Sequence, residues 1–193
     1  MSAIGADGWN ITGLSVMSDL FMRRSAIISI CKMYRYELRR IWDDRLPLLV
    51  VCMLNPSLAD DQVEDPTLRE LIHFAKMWGY GGLLIVNFYA FRSPSPKEMF
   101  AQGCKAFGPE NDAYIKGAIA YARNHGGKLL AAWGNDGHVG GYHMYFTTLA
   151  AEQKVDLVCL GKTNSGQPKH PMARGKHRIP RSQMPIIWKE AAL

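Results

Sequence analysis

The sequence predicts an α/β fold, a three-layer sandwich with a central four-stranded parallel sheet. Four short apolar runs alternate with three segments whose apolar residues recur at helical spacing. An order of strand, helix, strand favours parallel strands joined by right-handed crossovers. With 193 residues and 48% hydrophobic content, the chain can bury one sizeable core.

The first predicted strand contains seven apolar residues, Leu48 to Leu54, and ends at Asn55-Pro56-Ser57. Such a continuous run is typical of a strand that is covered on both faces. Open α/β sheets bind ligands beyond the carboxyl ends of their strands, so Asn55 and Ser57 are candidate site residues. The alternative is that Asn-Pro-Ser only forms a turn.

A helix follows, with Asp65 as its N-cap, Pro66 in its first position and Gly79 at its end. The second strand, Leu83 to Asn87, also ends in an asparagine. Asn87 could instead satisfy backbone groups at the end of the strand.

The other predicted elements are a loop at Ser93–Pro96, a helix opened by Gly108–Asp112 and ended by Gly126-Gly127, a strand at Lys128–Gly134, a helix from the Gly134–Gly141 stretch to about Ala151, and a strand at Val155–Gly161. Ile115, Ala118, Ile119 and Ala122 form the predicted apolar face of the second helix.

The ends of the chain carry weaker signals. Residues 1–24 predict a loosely ordered lead-in, and 25–193 a single domain. Alternation over Tyr34–Trp42 predicts an N-terminal hairpin with the Leu48 strand, although a helix over Ser25–Trp42 stays open as an alternative extension. The segment 162–193 is predicted to be irregular.

This C-terminal segment is also basic, in a chain of net charge +6. It carries no carboxylate from Lys162 to Lys189. A polyanionic partner is the expectation, and a solubilising surface is the alternative.

Metal and cofactor chemistry lack their usual patterns. The cysteines are scattered singly, at Cys31, Cys52, Cys104 and Cys159. His138 and His143 are five residues apart, where a metal-binding helix needs four. We therefore expect no metal. The sequence has no serine elbow, phosphate loop or dinucleotide fingerprint, which argues against serine hydrolases, NTPases and dehydrogenases, and we expect no cofactor.

Four segments, in order, resemble the motifs of the uracil-DNA glycosylase superfamily: Met53–Ser57, Leu83–Asn87, Leu130–Gly134 and His170-Pro171-Met172. The chain also resembles a divergent bacterial and phage family of unknown function, through Asn55–Ser57, Asp65–Thr67, Trp78–Gly82, Gly108–Asp112, Trp133-Gly134 and Pro168–Pro171.

The glycosylase resemblance implies hydrolysis of the N-glycosidic bond of a base flipped out of DNA, which leaves an abasic site. Catalysis is assigned to Asn55, which positions the water, and to His170, which donates to the base oxygen. The implied substrate-binding residues are Ser57, Asn87, Phe88 and Tyr89. The implied DNA-binding residues are Lys169, Met172 as a wedge, Arg174, Lys176 and Arg178.

Two departures from the superfamily pattern matter. Met53 stands where those enzymes have glycine, and Asn55 where the most active ones have aspartate. Ser57 replaces a tyrosine that blocks substituents on pyrimidine C5, so the expected substrate is a C5-substituted pyrimidine, as in modified phage DNA.

The expected protein is a cytoplasmic monomer that acts on double-stranded phage DNA in anti-phage defence and does not enter a membrane. Its first alternative is a non-catalytic module of the same fold that binds modified nucleic acid. The second is an N-glycosidase of nucleosides or nucleotides. Phe88 and Tyr89 could be core residues, and His170 a solvated loop residue.

Overall fold

The computed structural model of the protein describes residues 22–57 and 65–191. Its strands are β1 (Arg23–Ile28), β2 (Arg35–Ile41), β3 (Leu48–Met53), β4 (Gly82–Asn87), β5 (Lys128–Ala131), β6 (Asp156–Cys159) and β7 (Ile186–Lys189). Its α-helices are α1 (Pro66–Met77), α2 (Pro96–Ala101), α3 (Asn111–Asn124) and α4 (Tyr142–Glu152). Short 3-10 helices cover Gly103–Phe107, Asn135–Gly141 and Gly175–His177.

The described strands form one seven-stranded sheet in the order β1-β2-β4-β3-β5-β6-β7. The α/β class is confirmed, but the predicted four-stranded parallel sheet is wrong as a description of the whole sheet. The four predicted strands, β4, β3, β5 and β6, are mutually parallel and form its centre. Antiparallel strands extend it on both sides. The edge strands β1 and β7 are partly exposed, and neither has the long continuous apolar run that marks a central strand such as β3.

The N-terminal hairpin exists, but its partners differ from the prediction. β2 pairs with β1 and β4, and not with β3. The helical alternative for Ser25–Trp42 is wrong, because this range holds two strands. Arg23 and Arg24 of the expected lead-in begin β1, whereas residues 1–21 lie outside the described part of the chain.

Two further elements lie where irregular chain was predicted, namely α2 in the Ser-Pro loop and β7 in the C-terminal segment. Both are short, with six and four residues, so each offers little periodicity to detect.

The predicted helix boundaries at α1 are confirmed. The Asp65 carboxylate accepts a hydrogen bond of 2.8 Å from the Leu68 backbone N–H, and Pro66 occupies the first turn. Gly79 follows the helix with a φ of +80°, a conformation that glycine adopts without strain.

The sheet has an apolar layer on each face. One layer packs under α1 and contains Leu49, Val51 and Met53 of β3. The other packs under α3 and α4 and contains Val50 and Cys52 of the same strand. β3 is therefore covered on both faces, as its sequence predicts. Within the described ranges, no helix is both long and apolar enough to cross a membrane.

Candidate functional site

Two adjoining cavities lie at the carboxyl ends of β3 and β4. The first, which we call the small pocket, has a volume of about 70 Å³. The second, which we call the cleft, has a volume of about 370 Å³, within the usual range for ligand sites. Both are lined by Met53, Asn55, Ser57, Thr67 and His170. Three residues predicted from sequence, Asn55, Ser57 and His170, therefore meet at one place.

The Asn55 side chain is fixed by the loop that follows β4. Its amide nitrogen donates to the Ser93 carbonyl oxygen at 2.8 Å and to the Pro56 carbonyl oxygen at 3.2 Å. Two acceptors at these distances identify the nitrogen and occupy both of its hydrogens. No described residue donates to Asn55 Oδ1. At the cavities, Asn55 therefore offers an acceptor.

Ser57 is coupled to the first turn of α1. Its hydroxyl donates to one carboxylate oxygen of Asp65, while the other oxygen accepts the Leu68 N–H. The helix cap thus also holds the Ser57 side chain at the wall of both cavities. Asp65 itself lines the small pocket and brings a carboxylate to it.

His170 is half-buried, and its loop is held by backbone hydrogen bonds. The Gly134 N–H donates to the Pro168 carbonyl at 3.0 Å, and the Lys169 N–H to the Gly161 carbonyl at 2.8 Å. His170 Nδ1 lies 3.1 Å from the backbone nitrogen of Met172, which has a hydrogen to donate. In the neutral ring, Nδ1 is then the acceptor and the proton is assigned to Nε2.

Burial lowers the pKa of His170 from its ordinary value, although the nearby charge of Asp65 opposes this shift. The ring is therefore neutral at neutral pH. Neutral His170 presents a single N–H donor, at Nε2, and it lies on the same cavities as the Asn55 acceptor.

Arg35 also lines the small pocket, and a bulge in β2 aims it there. Ile27 pairs with Glu37 and Ile28 with Arg35, so Tyr36 is an extra residue in β2. The extra residue shifts the alternation of side chains. Arg35 and Leu38, three residues apart, consequently line the same pocket, while Tyr36 stacks on Tyr114 of α3 on the opposite face.

Asn87 lies beside the small pocket but does not line it. It pairs with Met53 and follows Ile85 by two residues, so its side chain projects to the face of α1. The residue is fully buried, and neither polar atom of its amide has a hydrogen-bond partner among the described residues. An unpaired buried amide costs about 1–3 kcal/mol.

Phe88 and Tyr89 lie away from the cavities, in the layer under α3 and α4. Phe88 packs on Trp133 with a ring-centroid distance of 4.5 Å, and Tyr89 packs on Phe107 at 4.8 Å. Phe88 is inaccessible and Tyr89 nearly so. Both behave as core residues, the alternative that the sequence left open.

The Trp133-Gly134 turn forms the far wall of the cleft. A side chain at Gly134 would lie 3.4 Å from His170 Cβ, and one at Gly137 would lie 1.9 Å from Trp133 Cδ1. At Gly137 the indole leaves no room for a Cβ, whereas the contact at Gly134 would be an ordinary one, and the φ of +75° is what favours glycine there.

The predicted DNA-binding residues follow His170 along one surface. Arg174, Lys176 and Arg178 are exposed, whereas Lys169 and Met172 are half-buried. A separate cavity of about 340 Å³, lined by Met172, Arg174, Arg178 and Arg181, opens in this surface. Arg181 is paired with Glu70 at 2.9 Å.

Sequence reasoning missed Arg35, Asp65 and Ser93 as site residues. Asp65 carried a signal, since its cap position follows Ser57 closely in sequence. Arg35 carried none, because its orientation depends on a bulge. Across 22–57 and 65–191, no group of three or more His, Cys, Asp or Glu side chains could hold a metal ion.

A family model described as a protein of unknown function (DUF1643) matches residues 35–172, more than half of the chain. The chain belongs to this family. The DUF1643 region contains every residue that lines the small pocket and the cleft, and it leaves out β1 and the basic residues from Arg174 onward. No curated protein and no solved structure shows a significant match to the chain.

Proposed function

We propose that this DUF1643 protein is a DNA glycosylase that hydrolyses the N-glycosidic bond of a C5-substituted pyrimidine flipped out of DNA. The observation that carries the proposal is the pairing on one cavity of an acceptor, Asn55 Oδ1, to which no described residue donates, with a neutral N–H donor, His170 Nε2. The resemblance of the four sequence segments to the uracil-DNA glycosylase superfamily supports the same chemistry.

Asn55 would hold the attacking water. Because Oδ1 can only accept, it takes a hydrogen of the water and leaves a lone pair on the water oxygen for the sugar C1′. The new bond joins that oxygen to C1′, and the electron pair of the C1′–N bond leaves with the base. The water loses one proton and the base gains one, so one water is consumed.

His170 would stabilise the departing base. Negative charge develops on the base oxygen as the glycosidic bond breaks, so a hydrogen bond from Nε2–H strengthens toward the transition state. A neutral donor suits this role, because it need not give up its proton. Asp65 brings a carboxylate to the small pocket that Asn55 and His170 also line, and its negative charge would favour the sugar as it becomes cationic.

Asn87 would read the polar edge of the base. Its amide can act as both a donor and an acceptor, and neither polar atom has a partner among the described residues. Met53, its neighbour on β3, lines both cavities. A shift of the unbranched Met53 side chain would expose the amide to the base. Binding of a base would then supply partners to two polar atoms that have none among the described residues.

Ser57 and the cleft support the choice of a C5-substituted pyrimidine. Ser57 is a small side chain, turned toward Asp65, at the wall that both cavities share. The cleft of about 370 Å³ beside it leaves room for a substituent. Bases of this kind occur in modified phage DNA, so we propose a role in anti-phage defence, by a monomer acting on duplex DNA in the cytoplasm.

One observation favours a second candidate, a module that binds modified bases without cleaving them. Both hydrogens of the Asn55 amide are occupied, and the Asp65 carboxylate is bonded to Ser57 and to the α1 backbone. An amide is not a base, and the Asp65 carboxylate already accepts two hydrogen bonds, so neither group is placed as a general base for the water.

Alkali-induced strand breaks separate the two candidates. The wild-type protein, incubated with duplex DNA containing a C5-glucosylated pyrimidine, should produce breaks that Asn55→Ala and His170→Asn each reduce by about 100-fold or more. Asn124→Ala and His125→Asn, at the exposed far end of α3, are the matched controls and should cleave normally. Tight binding of modified DNA without breaks would favour the module.

A further inference from the structure

The turn between β1 and β2, residues 29–33, projects from the sheet at the same edge as the cavities. We call this turn the hairpin tip. β2 runs antiparallel to β4, and β1 antiparallel to β2, so the end of β1 and the start of β2 lie at the carboxyl end of β4. The hairpin tip therefore extends beyond the edge at which Asn55 lies.

The hairpin tip presents apolar side chains to solvent. Ile30 is fully exposed, with a relative accessibility of 103%, and Met33 is 48% exposed. Fully exposed isoleucine loses the free energy that burial of its side chain would provide, about 1.5–3 kcal/mol. The two side chains stand in one short turn, so a partner that covers them would recover part of this free energy.

Hydrogen bonds hold the backbone of the hairpin tip. The Ser29 N–H donates to the Tyr34 carbonyl at 2.9 Å, and the Lys32 N–H donates to the Ser29 carbonyl at 2.8 Å. The Ser29 hydroxyl accepts the Tyr34 N–H at 3.1 Å. Ile30 thus stands on a hydrogen-bonded turn, so little conformational entropy of the backbone would be lost when its side chain binds a partner.

The hairpin tip is tied to the site through the loop after β4. The Arg92 N–H donates to the Met33 carbonyl at 2.9 Å. The next residue, Ser93, accepts the Asn55 amide at 2.8 Å. The hairpin tip and Asn55 are therefore hydrogen-bonded to neighbouring residues of the same loop, Arg92 and Ser93.

The charges of this region favour a nucleic acid as the partner. Lys32 adjoins the apolar residues within the hairpin tip, and Arg92 lies against the Lys32 carbonyl, at 3.4 Å. Apolar side chains among cations are the combination that proteins use to enter a base stack while holding the phosphates beside it.

We propose that Ile30 is the wedge that enters the duplex where the target base has left the stack, with Met33 against the neighbouring base and Lys32 on the adjacent phosphate. This inference rests on the proposed function. It replaces the sequence-based expectation for Met172, which is half-buried and lines the separate arginine-rich cavity.

The test compares duplex and single-stranded DNA that carry the same modified pyrimidine next to 2-aminopurine. A wedge is needed only where a base must leave a stack. Ile30→Ala should therefore reduce base release and 2-aminopurine fluorescence on the duplex by about tenfold or more, and leave release from the single strand unchanged. Ile30→Leu should restore both signals. Met144→Ala, a change at a 61% exposed residue of α4, should alter neither.

Each failure has its own signature. Equal activity of wild type and Ile30→Ala on the duplex would overturn the wedge and leave the proposed function intact. Absence of release from both DNA forms by the wild type would overturn the proposed function, and the wedge would then be judged by the fluorescence signal alone. A change of oligomeric state in Ile30→Ala, with unaltered fluorescence, would overturn the wedge in favour of a contact between copies of the chain.

Discussion

At the carboxyl edge of the sheet, the face that carries α1 ends in the small pocket, whereas the face that carries α3 and α4 ends in packed aromatic rings, of which Trp133 also walls the cleft. Both faces are made by the same two strands. Asn87 projects to the first face, and the next residue, Phe88, to the second.

The difference separates two tasks. The aromatic face buries Phe88 among Trp133, Tyr142 and Phe146 and anchors the edge. The polar face retains a cavity and, at Asn87, an amide with no partner among the described residues, and both cost stability. Stability lost at a site in this way is typical of functional surfaces.

Phe88→Ala should give the largest effect on stability. Removing a fully buried ring costs about 3–5 kcal/mol of unfolding free energy, measured by urea denaturation. His170→Asn, on the polar face, should change that free energy by less than about 1 kcal/mol. Comparable losses in the two variants would contradict the division of tasks between the faces.

Asn87→Val should change stability in the opposite direction. Valine suits a buried strand and removes an amide that has no partner among the described residues, so unfolding should require about 1–2 kcal/mol more. The same variant should lose base release, because the reading group is gone. A destabilised Asn87→Val protein would show that the amide is satisfied in the folded state.

The pH dependence should give the smallest effect, and it is set by His170. Its folded pKa lies below the ordinary 6.5, since burial disfavours the charged ring. Above 6.5 the ring is neutral in both states. As the pH falls below 6.5, the unfolded chain takes up the proton before the folded protein does, so the free energy of unfolding decreases. This decrease continues until the pH has passed through the folded pKa.

Base release should follow the folded pKa of the same group, so it should be flat near neutral pH and fall only as the pH drops through that lowered pKa. Urea denaturation midpoints of wild type and His170→Asn across this pH range measure the effect on stability. Initial rates of base release measure the effect on activity. A rate that rises on acidification would show instead that imidazolium is the active form.

The sequence predicts the centre of the fold well, for a physical reason. Buried parallel strands and capped helices depend on local signals, such as the apolar run of β3 or the Asp65-Pro66 start of α1. β1 and β7 carry no comparable signal, because partly exposed antiparallel strands are formed by pairing with neighbours.

The site was predictable in part. Asn55, Ser57 and His170 meet as expected, because residues after parallel strands share one edge of the sheet. Which face opens was not predictable, since that depends on packing across the sheet. The sequence resemblance implies a substrate role for Phe88, whereas the structure places its side chain in the core.

The most direct test of the account is single-turnover release of free base, measured by mass spectrometry, from a duplex with one C5-glucosylated pyrimidine. The account predicts release of the modified base and an equal amount of abasic DNA from the wild type. It predicts no release from the matched unmodified duplex, and release reduced by about 100-fold or more in Asn55→Ala. Intact modified DNA after prolonged incubation with folded wild-type protein would contradict it.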